Sequence, residues 1–226
     1  TADNPSAAPP GAPQWQPVEI ELSAARRDSN AYVECQGWVE FVHDDGTEIR
    51  RPMFWDGGQT FRVRFASTKP AGVWRWTSAS EPADKGLHGL SGEIQASPNE
   101  DGKTIFDRHG FWCIPSGERN LVHADGTSRF MCADTPWALP WRANVDQATI
   151  YAKDRAAKGF NAALLMTVMP DSNTSGPRSR TEDGGFAVGF EDLSEGHLEQ
   201  LNVEYFQYFD QLVDVLAQHG IAPVYQ

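Results

Sequence analysis

Asp134, Trp137, Trp141 and Gln226 are the residues whose types and spacing point to chemistry. A carboxylate accepts hydrogen bonds from sugar hydroxyls. An indole ring stacks on the apolar face of a sugar and keeps an N–H free to donate. Asp134 closes the apolar run FMCA at 130–133, and both tryptophans follow in the same loop. Asp134 equally suits a helix cap, because Pro136 favours a helix start just after it. For either tryptophan alone, packing within its loop is the plainer reading. Gln226 ends a later apolar run, with Tyr225 before it, and would reach the same edge; as end residues the two could equally fray.

Residues 169–201 form a long polar stretch holding Asp171, Asn173, Arg178, Arg180, Glu182 and Asp183, with Gly184 and Gly185 as a hinge. Loops of this length are uncommon unless functional or disordered. The stretch reads as a loop over the mouth of a pocket, with disorder as the competing reading. Other chemistry lacks its signature. No His-Glu-x-x-His spacing occurs, so no metal is expected. No phosphate loop or dinucleotide fingerprint occurs, so no cofactor is expected. Gly89-Leu-Ser-Gly92 lacks the spacing of a nucleophile elbow.

The elements that must position these residues read as strand, helix, strand, helix, strand. Strands are expected at 129–133, 161–168 and 221–225, and helices at 146–158 and 202–218, closing on Gly159 and Gly220. Parallel strands joined by helices form a sheet covered on both faces or closed into a barrel. A full eight-stranded barrel needs roughly 250 residues. Residues 129–226 therefore read as the opening of such a barrel, with the chemistry of later strands outside this sequence.

The first half reads as all-β. Val18, Ile20 and Leu22 alternate with polar residues, as do Phe61, Val63 and Phe65. Trp74 and Trp76 share a face. Turns at Asp44-Asp45-Gly46, Pro70-Ala71-Gly72 and 86–92 separate short strands. This pattern predicts an antiparallel sandwich over 14–98. Trp55, Trp74 and Trp76 could form a glycan platform, although packing is the plainer reading, with 54–57 set between the sandwich and the barrel. Residues 99–128 read as a connecting hairpin layer, and residues 1–13 as a flexible leader rich in Ala and Pro.

The net charge is -12, which argues against nucleic acid and against an anionic membrane surface. No apolar run approaches a membrane span. The leader suits the remnant of a removed signal peptide, which implies a secreted or periplasmic protein. Three cysteines, Cys35, Cys113 and Cys132, make no disulfide framework; Cys113 and Cys132 could pair or remain buried thiols.

Two tracts carry a family resemblance. FWDGGQTFRVRF at 54–65, followed by AGVWRW at 71–76, resembles the Ig-like domain found ahead of some glycoside hydrolases. Asp125-Gly126, FMCADTPW at 130–137, RAAKGFN at 155–161 and residues 202–220 resemble the start of the apiosidase-like glycoside hydrolases. Val203 departs from that pattern, where a proline is expected after Asn202. The resemblance implies a multidomain β plus α/β chain: an N-terminal Ig-like antiparallel β-sandwich followed by the first three β/α units of a TIM-type (β/α)8 barrel. It implies hydrolysis of a furanoside or a branched polysaccharide by two carboxyl groups flanking the bond. That catalytic pair is expected beyond residue 226, on the C-terminal portion of the same barrel. The competing function is a non-catalytic carbohydrate-binding or assembly module.

Overall fold

The computed structural model describes residues 11–168 and 189–226. The chain divides into two compact units, residues 1–102 and 103–226.

The first unit carries β1 (Gly11–Pro13), β2 (Pro17–Ser23), α1 (Ala31–Glu34), β3 (Gln36–His43), β4 (Glu48–Pro52), β5 (Phe54–Trp55), β6 (Thr60–Ala66), β7 (Val73–Glu81) and β8 (Ser91–Ser97). Five strands form one sheet in the order β1-β8-β7-β3-β4, and three form another in the order β2-β6-β5. Alternation decides what lies between them. Ile20, Leu22, Phe61, Val63 and Phe65 from the small sheet share a core with Val39, Phe41, Trp74, Trp76 and Ile94 from the large one. Phe65 stacks on Phe41 at 4.1 Å and meets Trp74 edge-on at 5.1 Å. The Trp74 indole donates to Ser67 Oγ at 2.9 Å, so its burial leaves no orphan N–H.

This burial agrees with packing, the plainer of the two readings of these tryptophans. Trp74 and Trp76 are enclosed, and Trp55 packs against the same core while its indole donates to the Gly58 carbonyl at 3.0 Å. Together they form no surface platform.

The second unit begins with α2 (Ile105–His109), then β9 (Trp112–Cys113), β10 (Leu121–His123) and β11 (Ser128–Arg129), three strands in the order β11-β10-β9. Next come β12 (Ala133–Asp134), α3 (Leu139–Arg142), α4 (Val145–Ala157), β13 (Ala162–Leu165), α5 (Val203–Gln218) and β14 (Ala222–Tyr225). Strands β12, β13 and β14 are parallel neighbours in that order. Asn144 and Gln147 form a capping box at the start of α4. Asn202 caps α5 by accepting from the Tyr205 N–H, so the helix starts without the expected proline.

The strand expected at 129–133 is split in two. Arg129 pairs with Leu121 in the antiparallel sheet, whereas Ala133 pairs with Ala162 in the parallel one. Between them the Asn161 side chain stands in for a strand partner. Its Oδ1 accepts from Cys132 N at 2.9 Å, and its Nδ2 donates to the Phe130 carbonyl at 2.7 Å. Phe130 is left 85% exposed. All three cysteines are free; Cys35 is buried and Cys113 exposed, so burial is not general.

Residues 189–201 are not structureless. Phe190 bridges Leu201, and the Asn202 N–H donates to the Gly189 carbonyl at 2.8 Å. The buried Asp192 carboxylate accepts from Glu199 N and Gln200 N. Asp171, Asn173, Arg178, Arg180, Glu182, Asp183 and the expected hinge lie outside the described residues.

Candidate functional site

In-register neighbours in a parallel sheet point to the same face. Asp134 is level with Ala163, and Leu165 with Tyr225. Ala163 and Leu165 pack into a core with Ala148 and Ala152 of α4 and Leu212 and Leu216 of α5. That face is the helix-covered one, and Asp134 belongs to it. Ala133, Ala162, Leu164, Ala222 and Val224 alternate onto the other face, and Gln226 continues their series.

The Asp134 contacts agree with this placement. Oδ2 lies 2.6 Å from Arg155 Nε, as an ion pair off the N–H axis, and 3.3 Å from the Tyr151 hydroxyl. Oδ1 accepts from Thr135 N at 2.8 Å. Both Tyr151 and Arg155 stand on α4. Burial first, and then the Asp134 charge, push the Tyr151 phenol well above its ordinary pKa. Tyr151 therefore stays protonated and donates.

At the C-terminal edge of the strands the backbone is tied together. Met166 N donates to the Trp137 carbonyl at 3.3 Å. Gln226 N donates to the Leu165 carbonyl at 2.9 Å, and the Gln226 carbonyl accepts from Thr167 N at 3.0 Å. Gln226 is thus held in the ladder, and its side chain is exposed. The edge brings Trp137, Met166, Thr167 and Gln226 into one place.

Trp137 is 47% exposed, whereas Trp141 is 6% exposed within the helix-covered core. Trp141 offers no open ring face, because α3 turns it inward beside Leu139. An open depression of about 580 Å³ adjoins Trp137, lined among others by Thr135, Leu139, Arg142, Gln147 and Tyr151. Sequence reasoning missed Tyr151 and Arg155; their spacing of four along a helix was the available signal. It also missed Asn161, whose role depends on a break in β pairing that no local pattern marks. Among the described residues no group of three or more His, Cys, Asp or Glu could hold a metal ion. No described helix is long and apolar enough to cross a membrane.

Comparison with known proteins places these elements. Residues 115–226 match the family described as apiosidase-like, catalytic domain, and residues 11–81 match a domain of unknown function, DUF5060. No curated protein matches the chain. A crystal structure of a candidate glycoside hydrolase from Bacteroides vulgatus is similar over 96% of this chain, with a TM-score of 0.73 and 21% identity. The chain spans 41% of that protein's length, and at this identity the likeness is one of fold. A family 5 glycoside hydrolase from the same organism is 22% identical over 52% of this chain and 24% of its own, with a TM-score of 0.37. Residues 115–226 thus belong to the apiosidase-like catalytic domain family, with a DUF5060 domain at 11–81 ahead of them.

Proposed function

We propose that this chain contributes the sugar-contacting edge of a secreted or periplasmic glycoside hydrolase that cleaves a furanoside or a branched polysaccharide. The observation that carries the reading is the strand edge at which Trp137 and Gln226 are each hydrogen-bonded through the backbone to residues 165–167, inside the region matched to the catalytic family. Active sites of (β/α)8 barrels lie at the C-terminal ends of the strands. Trp137 would stack on a sugar face, and the Gln226 amide would bond its hydroxyls. The helix-linked parallel strands β12 to β14 support reading this unit as the first three units of a (β/α)8 barrel. The two sheets around one core support reading the first unit as an Ig-like sandwich.

Hydrolysis needs a proton donor and a second carboxylate flanking the bond. The strand-end carboxylate described here, Asp134, faces helix α4 and is already paired. The family resemblance implies that the catalytic pair stands on later strands of the barrel, whose C-terminal portion would then be this chain's partner. The test is chromatographic detection of sugars released from furanoside-bearing polysaccharides by a polypeptide spanning the whole catalytic domain. Binding of glycan by residues 11–102 alone, with no release by the longer polypeptide, would support a binding module instead.

A further inference from the structure

We infer that Asp134 is a positioning residue, whose carboxylate ties helix α4 to the loop that presents Trp137 and does not itself touch the sugar. The inference rests on the proposed sugar contact only for what Trp137 does; the geometry is independent of it. Asp134 lies on the helix-covered face, level with Ala163. Its Oδ1 holds the first N–H of the loop, at Thr135. Its Oδ2 holds Arg155 and Tyr151, one turn apart on α4. Two of the roughly four acceptor positions of the carboxylate are thus filled from within the protein, and the Arg155 guanidinium lies beside it as a counter-charge. Arg155 is fixed in turn, with its guanidinium 5.6 Å from the Tyr151 ring and 5.5 Å from the Phe160 ring. Tyr151 and Thr135 also line the depression beside Trp137, so the carboxylate braces one wall of it. The Asp134 side chain is 30% exposed and already engaged by α4 and the loop backbone, whereas the Trp137 ring is 47% exposed.

The test reads the exposure of Trp137 and needs no glycan. Acrylamide quenching is measured for the chain, for Asp134→Asn, for Arg155→Gln and for the double variant. Each is paired with its Trp137→Phe counterpart, so that the difference isolates Trp137. Quenching of Trp137, 47% exposed in the chain, is expected to rise in each single variant, by no more than the about twofold that full exposure would allow. The double variant should rise no further, because both changes cut one link. Asp134→Glu, which keeps the charge, should restore much of the protection and covers the case in which Asp134→Asn fails to fold. Unchanged quenching in the single variants, or additive effects in the double, would overturn the inference. So would a fall in the affinity of Asp134→Asn for any glycan the chain binds, with Trp137 quenching unchanged, since that is the signature of direct contact. Failure to find a glycan would count against the proposed function and leave the quenching result standing.

Discussion

Thr167 gives Gln226 two hydrogen bonds, one from its backbone N–H at 3.0 Å and one from Oγ1 at 2.8 Å, both to the Gln226 carbonyl. The buried Tyr205 hydroxyl donates to the Thr167 carbonyl at 2.6 Å. One threonine thus joins the ends of β13 and β14 to α5. Thr167→Val is expected to lose about 1 kcal/mol of stability, the net worth of one hydrogen bond. Tyr205→Phe should cost about 1–2 kcal/mol, because it strands a carbonyl on the protein side. Urea denaturation of both variants checks this; equal stability to the parent would mean that the edge is not held through Thr167.

Trp137 and Trp141 separate binding from stability. Trp141→Ala should cost about 3–5 kcal/mol, as for other buried large aromatics. Trp137→Ala should change stability by less than about 1 kcal/mol while removing the ring that stacks on the ligand. Thermal melting of the pair measures the difference, and similar melting temperatures would contradict the burial assigned here.

Much of this was legible in the sequence. The alternation around Ile20, Phe61 and Trp74 gave the paired sheets, because period two is a local property of half-buried strands. Asn202, three residues before Tyr205, gave the start of α5. Asp134 was legible as a strand-end residue, but its facing was not. Adjacent residues of a strand point to opposite faces, and register is fixed by tertiary pairing rather than by the local run. Trp137 and Trp141 look alike as letters, and only the direction of α3 separates them. Arg129 and Ala133 sit in one apolar run, yet Asn161, far along the chain, divides it.

One turn is used twice. His43–Thr47 and His123–Thr127 share the pattern His-x-Asp-Gly-Thr. In each, the His N–H donates to the Thr carbonyl, the Gly N–H to the His carbonyl, and the Thr N–H to the Asp carboxylate. Gly46 and Gly126 have φ of 84° and 87°, and a Cβ at either would meet nothing within 4 Å. The cost of alanine there is therefore backbone strain alone. Gly46→Ala and Gly126→Ala should each destabilise by about 1 kcal/mol. Chemical denaturation checks the value, and neutrality at either site would contradict the left-handed turn.

Asp125 makes the second copy sensitive to acid. Burial opposes its charge, but hydrogen bonds from His109 and Thr127 outweigh burial and hold the carboxyl at about 2, below the ordinary 3.8. With the folded pKa depressed, the stabilisation is complete above the ordinary pKa and is lost as pH falls through the folded one. The window therefore runs from about 4 down to about 2. The His109 and Asp125 side chains are 35% and 36% exposed, so solvent screening limits the effect to about 1 kcal/mol or less. The stability gap between the parent and Asp125→Asn should be constant above the window and close within it. Denaturation at a series of pH values measures this, and a gap that widens with acid would contradict the assignment.

The central claim is that Trp137 belongs to the sugar-contacting edge of a glycoside hydrolase. Its most direct test is the kinetics of sugar release from furanoside-bearing polysaccharides, for a polypeptide carrying the whole catalytic domain and for its Trp137→Ala variant. The account predicts release by the parent and a KM raised about tenfold in the variant, the loss of about 1.4 kcal/mol of binding, with kcat little changed. No release by the parent from any such polysaccharide, or an unchanged KM in the variant, would contradict it.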